Sequence, residues 1–527
     1  MKTIRFLFLS LFALASISGY SQNETAIRYE IENERYHSAD QMIASALQSD
    51  PGNGMLYYLQ GYINMSLGDT KKASASFTSG KDAKTDNWSN IIGLGWVAMA
   101  ENDPSTAQKN FETALALAGP KSAQYYYQLA VAYFKIEKPD ADKALAAVEK
   151  SLTIKPVQLE AFLLKGDILI TKPDGGGKAL TAYEDAESKF KESPAPEVRI
   201  ARLYMNARNY PLAMDYINKA IERDPNYSPA YKLKGDYQFN LKKYEDARAS
   251  YEKTLTLSDS TDQLLTQYLY ACFLAKDYAI SYELSSKLKG SAINPFVLNR
   301  TEAYSLYEIG KYPESLESIQ RLFNNGSSDR LIRQDYLYYG KILSKNKQDS
   351  LAIGYFEQAW EADSSDTDAL VEMSKSYSNM GDYEKSAETY RRKIDAAPPI
   401  ALDYFLMGRS YYYAKLYEKA DSAFAMVASM QPSAYHGFFW RGRCNAVLDP
   451  DLKSDSAKVF YEQAEALASA DPGKNKKDLI EMYQYLAFYY VKKDDPAKAS
   501  DYYKKILELD PENKDAKTNL NLLNKKQ

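Results

Sequence analysis

Ala401–Ala434 reads ALDYFLMGRSYYYAKLYEKADSAFAMVASMQPSA. Counted from Ala401, Tyr404 stands at position 4, Gly408 at 8, Tyr411 at 11, Tyr417 at 17, Ala420 at 20, Phe424 at 24 and Pro432 at 32. Positions 4, 7, 8 and 11 lie three or four residues apart, so they share one face of a first helix; 17, 20, 24 and 27 do the same on a second. Small residues at 8 and 20 let the two backbones approach, and rings at 4, 11, 17 and 24 fill the space around that contact. Proline at 32 has no N–H for a continuing helix and stops the second one. One such pair buries too little surface to stand alone, so pairs must stack.

The spacing recurs from end to end. Tyr210, Tyr244, Tyr278 and Tyr312 open four successive second helices at intervals of 34 residues. The same signature marks Gly54–Asn87 (Tyr57, Gly61, Ala73, Phe77) and Leu159–Ser193 (Phe162, Gly166, Ala179, Tyr183). It marks Ile480–Asn513 as well (Tyr483, Ala487, Tyr490, Ala499, Tyr503, Pro511). This pattern closely resembles the tetratricopeptide repeat (TPR). About fourteen units fit between Gln22 and Asn513, the first with its leading helix cut short. The expected fold is all-α, a solenoid of stacked antiparallel helix pairs, and the resemblance implies a right-handed superhelix. Residues 470–477, rich in Lys, Asp and Gly, are the expected soft joint, and 514–527 the cap helix. The run Pro173-Asp174-Gly175-Gly176-Gly177 lacks the Lys-Ser/Thr and preceding strand of a phosphate loop, and reads as an inter-helix turn.

Residues 1–21 read as a secretory signal: Lys2 and Arg5, an apolar run Phe6–Ile17, then Gly19-Tyr20-Ser21. Cleavage after Ser21 would expose Gln22, which resembles the mature start of many Gram-negative envelope proteins. Loss of Lys2 and Arg5 takes the formal net charge from −4 to −6. The expected location is periplasmic, outer-membrane-associated or extracellular. No later run approaches the ~20 apolar residues of a transmembrane helix. The acidic balance argues against nucleic acid as a ligand.

Catalytic chemistry finds few residues to use. His37 and His436 have no Cys or carboxylate at metal-ligand spacing, and no cofactor is expected. Cys272 and Cys444 lie five repeats apart and read as unbridged, Cys272 as a packing residue. The chain reads as non-enzymatic. Four tripeptides, Asp259-Ser260-Thr261, Asp349-Ser350-Leu351, Asp421-Ser422-Ala423 and Asp455-Ser456-Ala457, resemble an O-glycosylation sequon of exported bacterial proteins, and Asp-Ser is equally a helix-cap pair.

The resemblance implies that first helices line a concave groove and bind through positions 2, 5, 9, 12 and 13. Transferred repeat by repeat, these positions give an aromatic set: Tyr58, Tyr62, Trp96, Tyr127, Phe134, Phe239, Tyr270 and Tyr304. Position 9 then reads Lys341, Lys375, Arg409 and Arg443 in four successive repeats, with Phe405 and Tyr412 beside them. Like charges stacked on one face favour a bound anion, so an acidic peptide or a C-terminal carboxylate is the expected partner, unless intramolecular carboxylates neutralise the row. The Lys/Asn pair of the family's chaperone-binding members is missing; Lys232 and Asp236 stand there instead. The leading reading is an envelope scaffold for protein partners, serving secretion or envelope assembly. The alternative is a glycan- or peptidoglycan-binding module using the aromatic groove. The oligomeric state is not legible.

Overall fold

The computed structural model describes residues 18–291, 294–325 and 330–524, and these contain twenty-nine helices and no strand. The apolar run of the expected export signal lies outside the described residues. The chain divides into two compact units, Met1–Ala292 and Ile293–Gln527.

Unit 1 holds eight helix pairs. They are α1 (Ser18–Glu32) with α2 (Tyr36–Ser49), α3 (Gly54–Ser66) with α4 (Thr70–Gly80), α5 (Asn87–Ala100) with α6 (Pro104–Ala118), and α7 (Ala123–Phe134) with α8 (Ala141–Leu152). Then follow α9 (Leu159–Ile170) with α10 (Gly176–Lys189), α11 (Ala195–Asn206) with α12 (Tyr210–Arg223), α13 (Ser228–Asn240) with α14 (Tyr244–Leu257), and α15 (Asp262–Leu274) with α16 (Tyr278–Lys287). Unit 2 holds six pairs and a final helix. They are α17 (Pro295–Glu308) with α18 (Tyr312–Asn325), α19 (Arg333–Lys345) with α20 (Asp349–Ala362), and α21 (Asp368–Asn379) with α22 (Tyr383–Ala396). The last are α23 (Ala401–Tyr413) with α24 (Tyr417–Met430), α25 (Tyr435–Leu448) with α26 (Ser456–Ala468), α27 (Lys476–Lys492) with α28 (Pro496–Leu509), and α29 (Lys514–Asn524). α1 runs for 15 residues, Ser18–Glu32, and the expected cleavage point falls inside it. The expected joint at 470–477 is the short turn between α26 and α27, within unit 2.

Most pairs turn in the same way, the α7–α8 turn being an exception. The first helix ends on a left-handed residue, and Arg208, Lys242, Lys276 and Gly310 recur there at φ 58°, 59°, 64° and 79°. Side chains of Asp69, Asp103, Asn209, Asp382 and Asp495 then accept a backbone N–H of the second helix. The triple glycine is such a turn, with α10 starting at Gly176.

The glycine at position 8 is a seat for the ring at 24. A Cβ on Gly61 would stand 2.2 Å from Phe77, one on Gly166 2.1 Å from Tyr183, and one on Gly408 2.9 Å from Phe424. The alanines at position 20 (Ala73, Ala179, Ala213 and Ala420 among them) are fully buried against the same contact.

Unit 1 also closes on itself. α1 and α2 meet the ends of α12 and α14 and the start of α13, in places more than 220 residues away. Asn33 accepts Ser228 N–H through Oδ1 at 2.9 Å, and its carbonyl accepts the Ser228 hydroxyl at 2.8 Å. Tyr29 donates to Asp224 at 2.7 Å, and Tyr227 to Glu32 at 2.9 Å. Arg35 donates to the carbonyls of Leu257 (2.6 Å) and Asn226 (3.2 Å), and Lys232 pairs with Glu34 at 2.9 Å. His37 N–H reaches Asp259 at 2.8 Å, while Asp259 N–H reaches the Glu34 carbonyl at 3.1 Å.

Candidate functional site

Closure turns the inner face of unit 1 into a cavity of about 320 Å³ whose walls come from α1, α3, α7, α9, α11 and the start of α13. Tyr58, Tyr62 and Tyr127 line it, so three residues of the expected aromatic set meet in one place. Tyr58 is 2% exposed and packs on Phe77 at 5.9 Å; burial pushes its phenol, like that of Tyr127, well above the ordinary value. Tyr62 lies against Trp96 at 5.7 Å and receives Lys135 on its ring face (4.7 Å) and hydroxyl. Burial also lifts the Glu32 carboxyl above its ordinary range, opposed by the Tyr227 hydroxyl it accepts.

Other members of the set are structural or sit elsewhere. Trp96 is 2% exposed and donates Nε1–H to the Lys135 carbonyl at 2.9 Å, so it is a packing residue with no open face. Phe134 is half-buried against the same core. Phe239 and Tyr270 share a second cavity of about 340 Å³ with Met205 and Asp236. Tyr304, in unit 2, is buried too: it stacks on Tyr338 at 3.8 Å and donates to Asp335 at 2.7 Å, which also binds Arg300.

The basic row of unit 2 is half neutralised. Arg443 makes two 2.5 Å bonds to Glu481 and lies over Trp440 at 4.6 Å; Lys375 pairs with Glu372 at 2.9 Å. Lys341 has no ion pair among the described residues and lies over Tyr338 at 5.8 Å. Arg409 has none either. Its guanidinium sits 6.0 Å from the Phe405 ring and 5.9 Å from Tyr413, and its Nε is buried with no hydrogen-bond partner among the described residues. Phe405 continues into Phe424, His436 and Trp440, and Tyr412 meets Trp440 at 5.2 Å.

Lys232 and Asp236, which replace the chaperone-type pair, are both engaged: Lys232 with Glu34, and Asp236 with Tyr251 (2.7 Å) and Gln267 (2.9 Å). His37 and His436 are exposed, and no group of three metal-ligating side chains occurs among the described residues. Both cysteines are free and buried, with their thiols pushed up to about 12 by burial. No described helix is long and apolar enough to cross a membrane. Of the sequon-like pairs, Asp421 is committed to Arg441 at 3.0 Å and Asn445 at 2.9 Å.

Residue reading from repeat positions missed the charged lining of the first cavity, including Glu32, Glu160 and Arg199. Of these, Glu160 stands at position 2 of its repeat, one of the positions through which the family is expected to bind. Bringing Glu32 to the same cavity as Glu160 and Arg199 required contacts across some two hundred residues.

Comparison with known proteins agrees with this architecture. Residues 27–248 match the tetratricopeptide repeat protein 21 N-terminal ARM repeat, and residues 367–399 and 480–513 match the tetratricopeptide repeat. The C-terminal part of a TPR repeat-containing protein from Cytophaga hutchinsonii is 33% identical over 48% of this chain and 98% of its own, with a TM-score of 0.45. A tetratricopeptide repeat protein from Parabacteroides merdae is 15% identical over 52% of this chain and 93% of its own (TM-score 0.27). The APC/C hetero-tetramer Cut9-Hcn1 is 14% identical over 96% of both chains (TM-score 0.29). No curated protein matches. With the helix pairs, the glycine seats and the family matches agreeing, the chain belongs to the tetratricopeptide repeat family, whose repeats serve as scaffolds for protein interaction.

Proposed function

We propose that the protein is a non-catalytic scaffold of the bacterial cell envelope, an accessory factor of secretion or envelope assembly, whose unit 2 takes an acidic segment or a C-terminal carboxylate. One observation carries this reading: the buried, unpartnered Arg409 Nε between Phe405 and Tyr413. A buried donor left unmade costs about 1–3 kcal/mol, and an incoming carboxylate removes that cost while matching the planar guanidinium fork. Lys341 is a second cation on a first helix without an ion pair, and Tyr413, 47% exposed, offers an aromatic rim. Envelope location rests on Lys2, Arg5 and the apolar run after them. Cleavage after Ser21 would leave every residue that closes unit 1 in the mature chain.

The test is affinity capture from an envelope extract by the mature protein, beside the double variant Lys341→Glu/Arg409→Glu. The expected result is a protein partner held by the first and weakened at least about ten-fold in the second, with both equally helical by circular dichroism. Equal capture by both would sink the reading.

A further inference from the structure

We infer that the cavity of unit 1 is a binding site for a neutral, hydroxyl-rich small molecule of mono- or disaccharide size. The inference is independent of the unit 2 surface, since every residue it uses lies in unit 1, between Glu24 and Arg202.

Size comes first. About 320 Å³ is the lower end of small-molecule pockets, and an extended peptide needs an open groove instead. The state of the lining groups is the second observation. The Tyr58 and Tyr127 hydroxyls, the Glu160 carboxylate and the Arg202 guanidinium face this cavity with no hydrogen bond or ion pair to the described protein. Arg199 has Asp167 at 3.4 Å, yet its buried Nε has no hydrogen-bond partner. Arg28, the neighbouring cation, makes its ion pair with Glu24 at 2.7 Å and acts on Glu160 only through space, leaving the Glu160 oxygens without a hydrogen-bond donor among the described residues. Buried polar groups in native proteins are nearly always paired, so the unpaired Arg199 Nε, beside the uncommitted Tyr58, Tyr127, Glu160 and Arg202 side chains that open onto the cavity, marks a place where a ligand completes the hydrogen bonding.

Charge decides the chemical class. The lining carries as many carboxylates as cations, so an anionic ligand would meet Glu160 and a cationic one Arg202 and Arg199. A sugar hydroxyl both donates and accepts, and adjacent hydroxyls bridge the paired oxygens of a carboxylate or the paired N–H groups of a guanidinium. Tyr127 is packed against the core on one side and lines the cavity with no ring–ring contact among the described residues, so the ring edge or face turned to the cavity can meet the C–H face of a pyranose. Because α1 forms one wall, an occupant that touches α1, α7, α9 and α11 together would also hold the ends of unit 1 closed.

The experiment is isothermal titration of the full chain with glucose, N-acetylglucosamine and maltose, with glucuronate and glycylglycine as charged controls of similar size. Glu160→Gln and Tyr127→Phe are titrated beside it, and circular dichroism checks that each is folded. Expected is saturable heat with at least one neutral sugar below about 10 mM, weakened about ten-fold or more by Glu160→Gln and measurably by Tyr127→Phe. The inference is overturned if no neutral sugar binds, if glucuronate or glycylglycine binds better, or if both variants bind the sugar as the wild type does.

Discussion

The two units are made of the same repeat and end differently. In unit 1 hydrogen bonds join residues more than 220 positions apart, and the inner face closes to a small cavity. In unit 2 those between described residues span no more than 43 positions, so each repeat answers only to its neighbours. The polar groups differ accordingly. Unit 1 spends Asn33, Glu34, Arg35 and Lys232 on closure and keeps its uncommitted polar groups around the cavity, whereas on the first helices of unit 2 Lys341 has no ion pair and Arg409 Nε no hydrogen bond among the described residues. A repeat array is thus quasi-one-dimensional by default, and a few side chains at its first helix turn suffice to make it a closed body.

The largest test of this contrast is steric. Gly166→Ala puts a methyl 2.1 Å from Tyr183, Gly408→Ala one 2.9 Å from Phe424. Overpacking predicts a loss of roughly 2–3 kcal/mol for the first and nearer 1 for the second, read by urea unfolding. Similar losses at both sites would mean the two seats are equally tight.

Asn33→Ala should follow, at about 1–3 kcal/mol, because it strips a buried Ser228 N–H of its acceptor. Hydrogen exchange should quicken over residues 224–259 and stay unchanged throughout unit 2. Unchanged protection at 224–259 would mean that closure does not depend on this contact.

Acidity separates the units next. Glu32 is held above its ordinary 4.5 by burial, so its contribution to unit 1 is full below about that pH and is lost as pH rises through the raised value. Glu32→Gln should therefore flatten the pH dependence of unit 1 above pH 4.5 while leaving unit 2 as it was. The exposed caps Asp103 and Asp382 run the other way. Hydrogen bonds hold them below their ordinary 3.8, so their contribution is present above it and is lost as pH falls through the lowered values. A thermal melt series across pH, wild type against variant, decides this. The smallest effect should be Lys375→Ala, no more than about 0.5 kcal/mol in the same melts, since its partner Glu372 is an i,i+3 surface neighbour.

Much of the fold was legible in spacing alone. Tyr210, Tyr244, Tyr278 and Tyr312 each open a second helix, and the glycines at position 8 each receive a ring. The left-handed turn residues were not, because Arg208, Lys242 and Lys276 adopt a conformation that their side chains do not favour. The site was legible only in part. Position counting brought Tyr58, Tyr62 and Tyr127 to one cavity and Arg409 to an unpaired place. It also put Trp96 and Tyr304 on a groove, where each has instead found a buried partner, the Lys135 carbonyl and the Asp335 carboxylate.

The sequence by itself determined the helix pairs, their number and their order, because helical periodicity and glycine–ring fit are local and each repeat restates them. Only the tertiary structure decided that unit 1 closes, which carboxylate meets which cation, and where polar groups remain unpaired. Those outcomes depend on contacts between Asn33 and Ser228 or Glu34 and Lys232, nearly two hundred residues apart, and no spacing within a repeat encodes them.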